Sequence, residues 1–238
     1  MRNRNLLHFV LRGIRRGQEL LGGASHRKIN LFPFMRLCYT KNADSTVGST
    51  PNFFGFEGNG ERSLMDTEKK ESIAKKAFDL GFAYERDYRG CSQSVIAALQ
   101  DALGVRNRDT DMIFKSATGL AGGVGRETDG CCGAYSGAAM VIGYFLGRER
   151  DRFNDTEGIR LQTAALVQQL HKKFIDEYGT VTCRQIHTKI MGRPFYMKDP
   201  EEAKKFDEAG AHTDKCTSVV GLAARWTAEI LIEAGLVR

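Results

Sequence analysis

The sequence predicts an all-α protein: one compact domain of about six or seven helices, with a buried central glycine/alanine-rich helix and a poorly structured basic leader before it. Three observations carry this. Apolar residues recur at helical spacing from residue 67 almost to the end of the 238-residue chain. Beyond residue 64 there are only two prolines, Pro194 and Pro200, both in one short connection. No stretch alternates as a strand would, and no repeat of solenoid length is visible.

The first predicted helix runs from about Thr67 to Tyr84, with Ile73, Ala77, Leu80 and Tyr84 on one face. Gly90 precedes a second, Cys91 to Leu103, whose apolar face is Val95, Ile96, Leu99 and Leu103, and Gly104 ends it. A third opens at Asp109 or Thr110 and carries Met112, Ile113 and Ala117. A glycine-rich loop follows, from Gly119 through Gly122, Gly123 and Gly125 to Gly130. The fourth helix, Cys132 to Arg148, is apolar nearly all round and is the expected central helix. Within it Gly133, Gly137 and Ala138 strip away bulk turn after turn. A helical glycine costs about 1 kcal/mol relative to alanine, so the pattern points to close backbone approach.

A fifth helix covers about Thr156 to Tyr178, with Leu166, Leu170 and Phe174 marking its core face. A shorter one runs from Thr182 to Met191. After the Pro194–Pro200 connection come a charged helical piece, Glu201 to Glu208, and a last helix from Asp214 to Ala234 with Val219, Leu222, Trp226, Ile230 and Leu231.

The formal charge of +6 first suggests a nucleic-acid or membrane-surface partner. Its distribution removes that suggestion for most of the chain. Residues 1–64 hold ten Lys/Arg and four Asp/Glu, which account for all of it, so residues 65–238 carry 25 bases and 25 acids and are neutral. No nucleic-acid partner is expected there. No apolar run approaches a membrane span, and Leu6 to Leu11 is short even for a secretory core.

The leader, residues 1–64, divides into a basic amphipathic segment over 4–21, a turn-rich linker over 41–51 and a Phe/Gly-rich stretch. It reads as a targeting peptide, a surface anchor, or a start called too early. The last is favoured, because an acidic, capped helix begins at Met65-Asp66-Thr67-Glu68.

Six cysteines are spread without any C-x-x-C pair, which points to a reducing compartment, the cytoplasm, with thiols kept for metal or redox work. Cys91, Cys132, Cys183 and Cys216 each fall at or near the start of a predicted helix, with Asp214 placed to cap the last. Unpaired N–H groups and the helix dipole favour a thiolate there, so lowered thiol pKa values are expected. Taken singly, each fits equally the small buried hydrophobe that free cysteine commonly is.

Gly90-Cys91-Ser92-Gln93-Ser94, the Gly119–Gly125 loop, Cys132-Gly133-Ala134-Tyr135-Ser136-Gly137, Thr182-Cys183-Arg184 and Lys215-Cys216 occur in that order. With these the chain resembles the C-GCAxxG-C-C family of redox-active proteins over about Thr67 to Leu236. The resemblance implies a small cytoplasmic redox protein, with an iron–sulfur cluster on the four cysteines. Split-Soret cytochromes look like distant relatives, in which a comparable domain carries a cluster beside haem. Here no C-x-x-C-H occurs, so covalent c-type haem is not expected. Cys131 stands outside the family pattern.

Three functions compete. The first is electron transfer or redox sensing by an iron–sulfur cluster on Cys91, Cys132, Cys183 and Cys216, with loop N–H groups tuning its sulfurs. The second is metal-free thiol–disulfide exchange, with Cys131 and Cys132 as attacking and resolving thiols. The third is a structural zinc site. Cys183 with His187, and His212 with Cys216, sit four residues apart and so share a helix face, which makes Cys131, His187 and His212 alternative ligands. A redox partner and a homo-oligomeric state are the associations to look for. No P-loop, dinucleotide fingerprint or Ser-His-Asp arrangement is present.

Overall fold

The structure, a computed structural model, describes residues 59–237, with side chains from residue 67. The readings made above for residues 1–58 lie outside the described residues. Helix α1 spans Asn59–Tyr88, so the last six residues assigned to the leader are already helical. Then follow α2 (Cys91–Leu103), α3 (Arg108–Ser116), α4 (Gly133–Phe145), α5 (Ile159–Tyr178), α6 (Cys183–Met191), α7 (Pro200–Glu208) and α8 (Cys216–Glu233). These eight α-helices among the described residues exceed six or seven because the charged piece, α7, is a full helix in its own right. No strand occurs among the described residues, only one isolated bridge between Cys131 and Thr182.

The boundaries follow local chemistry. Gly104 ends α2 in the left-handed conformation. Asn107 caps α3 by accepting from Asp109 and Thr110 backbone N–H, while Thr110 returns a bond to the Asn107 N–H. Asp199 caps α7 with Pro200 at its first position. The last helix differs from expectation: Ala211–Lys215 form a π-helical turn that runs directly into α8, and Asp214 lies inside that turn rather than capping the helix.

Helices α4 and α8 share the centre. α8 packs on α1, α2, α4 and α5, and α4 packs on α2, α3, α5 and α8. The expected close approach of α4 is present: a Cβ on Gly137 would lie 2.4 Å from the Ser92 carbonyl oxygen of α2. A second such crossing, of α1 over α8, occurs where a Cβ on Gly81 would lie 3.0 Å from the Val220 oxygen. One face of α4 is buried (Ala134, Ala138, Val141, Ile142), while Tyr144 is 37% exposed, so it is less apolar all round than its composition suggests. A smaller apolar cluster of Phe195, Met197, Phe206 and Ala211 packs beside Cys216. It walls one side of the cavity described next.

Candidate functional site

Each of the four cysteines sits at a helix boundary. Cys91, Cys183 and Cys216 are the first residues of α2, α6 and α8, and Cys132 is the N-cap of α4. All four line one cavity of about 260 Å3. Cys132 and Cys183 are buried, and Cys91 and Cys216 are partly exposed as residues although their sulfurs are desolvated.

The chain segments that bring the cysteines together are irregular. Cys132 N–H donates to the Val181 oxygen at 2.8 Å and Cys183 N–H to the Gly130 oxygen at 3.0 Å. This short bridge fixes the starts of α4 and α6 side by side. Before it, Gly122, Gly123, Val124, Gly125 and Arg126 all have φ between +62° and +74°, and Thr128 has φ +66°. A left-handed run costs L-residues about 1–2 kcal/mol each and is uncommon outside functional segments. Gly123 in this run and Gly133 at the start of α4 make room for cysteines. A Cβ on Gly123 would lie 2.9 Å from Cys183 Cβ, and one on Gly133 would lie 2.5 Å from Cys91 Sγ. The backbone of Gly122 hydrogen-bonds the Cys91 sulfur.

The electrostatics reverse the expected direction. The hydrogen bond to Cys132, then burial and the nearby Cys132 and Glu85, push the Cys91 thiol up, against a smaller lowering by Gly122. Burial first and Cys91 second raise Cys183 to about 12. Burial first, then Cys91, Glu85 and Cys183, raise Cys216 well above its ordinary value. The helix-start donors do not compensate because they are spent elsewhere. The N–H groups of Cys132, Cys183 and Arg184 bond loop carbonyls, and that of Cys216 bonds the Ala211 oxygen within the π turn. Desolvation therefore wins at Cys183 and Cys216, and the Cys132 thiol together with desolvation wins at Cys91, so without metal these three thiols stay protonated at neutral pH.

Three further cavity residues bear on the chemistry. His187 is 3% exposed, with Nε2 3.5 Å from Cys183 Sγ and Nδ1 without a partner; burial among Phe195 and Phe206 lowers it to about 4, so it is neutral. Glu85 is equally buried, and its Oε2 has no partner. His212 turns its Nδ1 to Asp207 Oδ1 at 2.6 Å, with Nε2 4.0 Å from Glu85. Arg89, paired with Asp207, and Arg126 complete the lining toward solvent.

The four family cysteines and the two histidines thus meet at one cavity. Cys131 does not: it is absent from the lining and acts instead on Tyr135, outside the cavity. Among the described residues no three His, Cys, Asp or Glu side chains are gathered closely enough to hold a metal ion. Sequence reasoning missed Glu85, Arg89 and Arg126. Glu85 carried a readable signal, since it extends the Ala74, Ala77, Gly81 spacing that forms the buried face of α1.

No curated protein and no solved structure matches the chain. A family model does, over residues 90–230, which begins one residue before Cys91 and runs past Cys216. More than half of the sequence and all four cavity cysteines lie inside that match, and so the chain belongs to the family described as "Putative redox-active protein (C_GCAxxG_C_C)".

Proposed function

We propose that the protein is an electron-transfer or redox-sensing protein that holds an iron–sulfur cluster on Cys91, Cys132, Cys183 and Cys216. One observation carries the reading: four thiols from the starts of four different helices line one cavity of about 260 Å3. A single tetrahedral zinc draws its sulfurs to about 2.3 Å from one centre. A cluster spreads its irons, and so accepts thiolates set around a cavity. The donor chemistry also fits, since cysteine thiolates are the usual cluster ligands. When bound, the cluster would supply one-electron chemistry.

The chain's own residues prepare that site. Gly123 leaves space beside Cys183 and Gly133 beside the Cys91 sulfur, and the Gly122 backbone bond to Cys91 is of the kind that tunes cluster sulfurs. Phe206 and Met197 shield one wall from water. Because the thiols of Cys91, Cys183 and Cys216 are held protonated, loading must release protons, and affinity should rise with pH. The contact between Cys183 and His187 is the one feature that favours zinc, as half of a Cys/His site. A cytoplasmic location would keep these thiols reduced, and a protein redox partner and self-association fall under the same proposal.

Anaerobic purification followed by iron, sulfide and zinc analysis and visible spectra tests the reading. Iron and sulfide with a coloured protein are expected. A colourless, metal-free protein would sink it, and one zinc per chain after iron-rich expression would replace it with the structural zinc site.

A further inference from the structure

One wall of the cavity belongs to a segment built apart from the main core. Between Gly192 and Gly210 the chain forms the Pro194–Pro200 connection and α7, and Met197, Ala203, Phe206 and Asp207 from it line the cavity. Its buried Phe195, Met197 and Phe206 pack with Ala211 in a cluster of their own and take no part in the main core. Their underside rests on cavity groups. The Phe206 ring lies 4.8 Å from that of His187, and a Cβ on Gly122 would meet Met197 Cε at 2.6 Å. Cys216 packs against the same cluster.

The segment is stiff inside and free to turn at its ends. Asp199 caps α7, Arg193 donates to Glu202 at 2.6 Å and stacks 4.0 Å over the Phe195 ring, and Lys205 joins Glu202 at 3.1 Å. A glycine with left-handed φ stands at either end, +81° at Gly192 and +87° at Gly210, and nothing lies within 4 Å of a Cβ placed on Gly192. Residues at the ends of elements are the ones that absorb the φ/ψ change of a hinge. The outer ties are exposed ion pairs, which singly hold little: Lys198 with Glu127, and Asp207 with Arg89 at 3.3 Å. Asp207 also takes His212 Nδ1 at 2.6 Å. Glu127 lies in the loop whose Val124, Arg126 and Thr128 are held left-handed, so the lysine tie is anchored on strained backbone.

We propose that residues 193–209 form a lid that swings as one body about Gly192 and Gly210 and uncovers Cys216 and the cavity behind it. Closed, the lid keeps Phe206 and Met197 over the thiols, and burial of that apolar underside makes the closed form dominant. Opening parts Lys198 from Glu127 and Asp207 from Arg89 while the internal ties of the segment stay whole. That iron and sulfide are what enters rests on the cluster reading above; the motion itself does not depend on it.

The test therefore uses full-length, reduced, metal-free protein, and iron and sulfide analysis of the purified chain reads the cluster assignment separately. Two rates are followed: amide hydrogen exchange by mass spectrometry, and N-ethylmaleimide labelling of each cysteine by peptide mapping. Amides of 193–209 should exchange together and faster than those of α5 and α8. Lys198→Glu sets two carboxylates against each other at an exposed tie, so exchange in 193–209 and labelling of Cys216 should both rise about two- to fivefold. Exchange in α5 and α8, and labelling of Cys131 outside the cavity, should stay as in the wild type. Adding Glu127→Lys to Lys198→Glu restores the pair with its charges exchanged and should return both rates. Protection of 193–209 equal to that of α8 overturns the lid, as does Cys216 labelling that fails to follow the exchange. An equal rise at Cys131 marks general loosening and overturns it too, and a charge exchange that restores neither rate overturns the Lys198–Glu127 tie.

Discussion

Replacing Glu85 by Gln isolates the cost of keeping a carboxylate among the thiols. Glu85 is 3% exposed, and burial raises its carboxyl from 4.5 to about 7, with a Ser94 hydrogen bond and the Arg89 charge acting in the other direction. A folded-state value above the unfolded one means that the native chain holds this proton more tightly. Its contribution to stability is fully present below 4.5 and is lost as pH rises through 7. At about 1.4 kcal/mol per pH unit, the gap between 4.5 and about 7 amounts to roughly 3 kcal/mol. Gln cannot ionise, so Glu85→Gln escapes this loss.

The assay is urea unfolding of metal-free, reduced wild type and variant, followed by far-UV circular dichroism at about pH 4.5 and about pH 8. Every other titrating group is shared, so the variant-minus-wild-type difference should move by roughly 3 kcal/mol in favour of Gln between the two pH values. The thiols of Cys91, Cys183 and Cys216, held above their ordinary range, remain protonated in both conditions and do not blur the comparison. A difference that does not change with pH, or that moves toward wild type, refutes the buried-carboxylate argument.

Three other substitutions read helix packing and backbone strain. Gly137→Ala places a Cβ 2.4 Å from the Ser92 oxygen and 2.7 Å from Val95 Cγ1 and should cost about 1–3 kcal/mol, whereas Gly143→Ala, with nothing within 4 Å in the same helix, should gain about 0.5–1 kcal/mol; denaturant midpoints of the two variants check the contrast. Val124→Gly should stabilise by about 1 kcal/mol, because a half-exposed β-branched residue at φ +66° is relieved of left-handed strain and little packing is lost; an unchanged or lowered melting temperature counts against that strain.

What was legible in the sequence and what was not divide along a physical line. Helix starts at Cys91 and Cys183, the glycine stop at Gly104 and the close approach at Gly137 all follow from rules acting over a few residues, and the structure agrees with each. The cysteines could be placed at helix boundaries for the same reason. The raised pKa of Cys91, Cys183 and Cys216 could not be, because it depends on burial and on where the boundary N–H groups point once the chain is folded. The bonds from Cys183 N–H to the Gly130 oxygen and from Cys132 N–H to the Val181 oxygen join segments some fifty residues apart, and they consume donors that would have stabilised thiolates. The left-handed run was hidden in a different way. Gly122, Gly123 and Gly125 permit it, but Val124, Arg126 and Thr128 disfavour it, and only the fit of the loop between α4, α6 and the sulfurs holds them there. The consequence is chemical. Three thiols of the cavity, Cys91, Cys183 and Cys216, are held protonated beside a carboxyl raised to about 7 and a neutral histidine, so whatever binds through their sulfurs must displace their protons. For Cys183 and Cys216 that protonation is set first by burial rather than by helix dipoles.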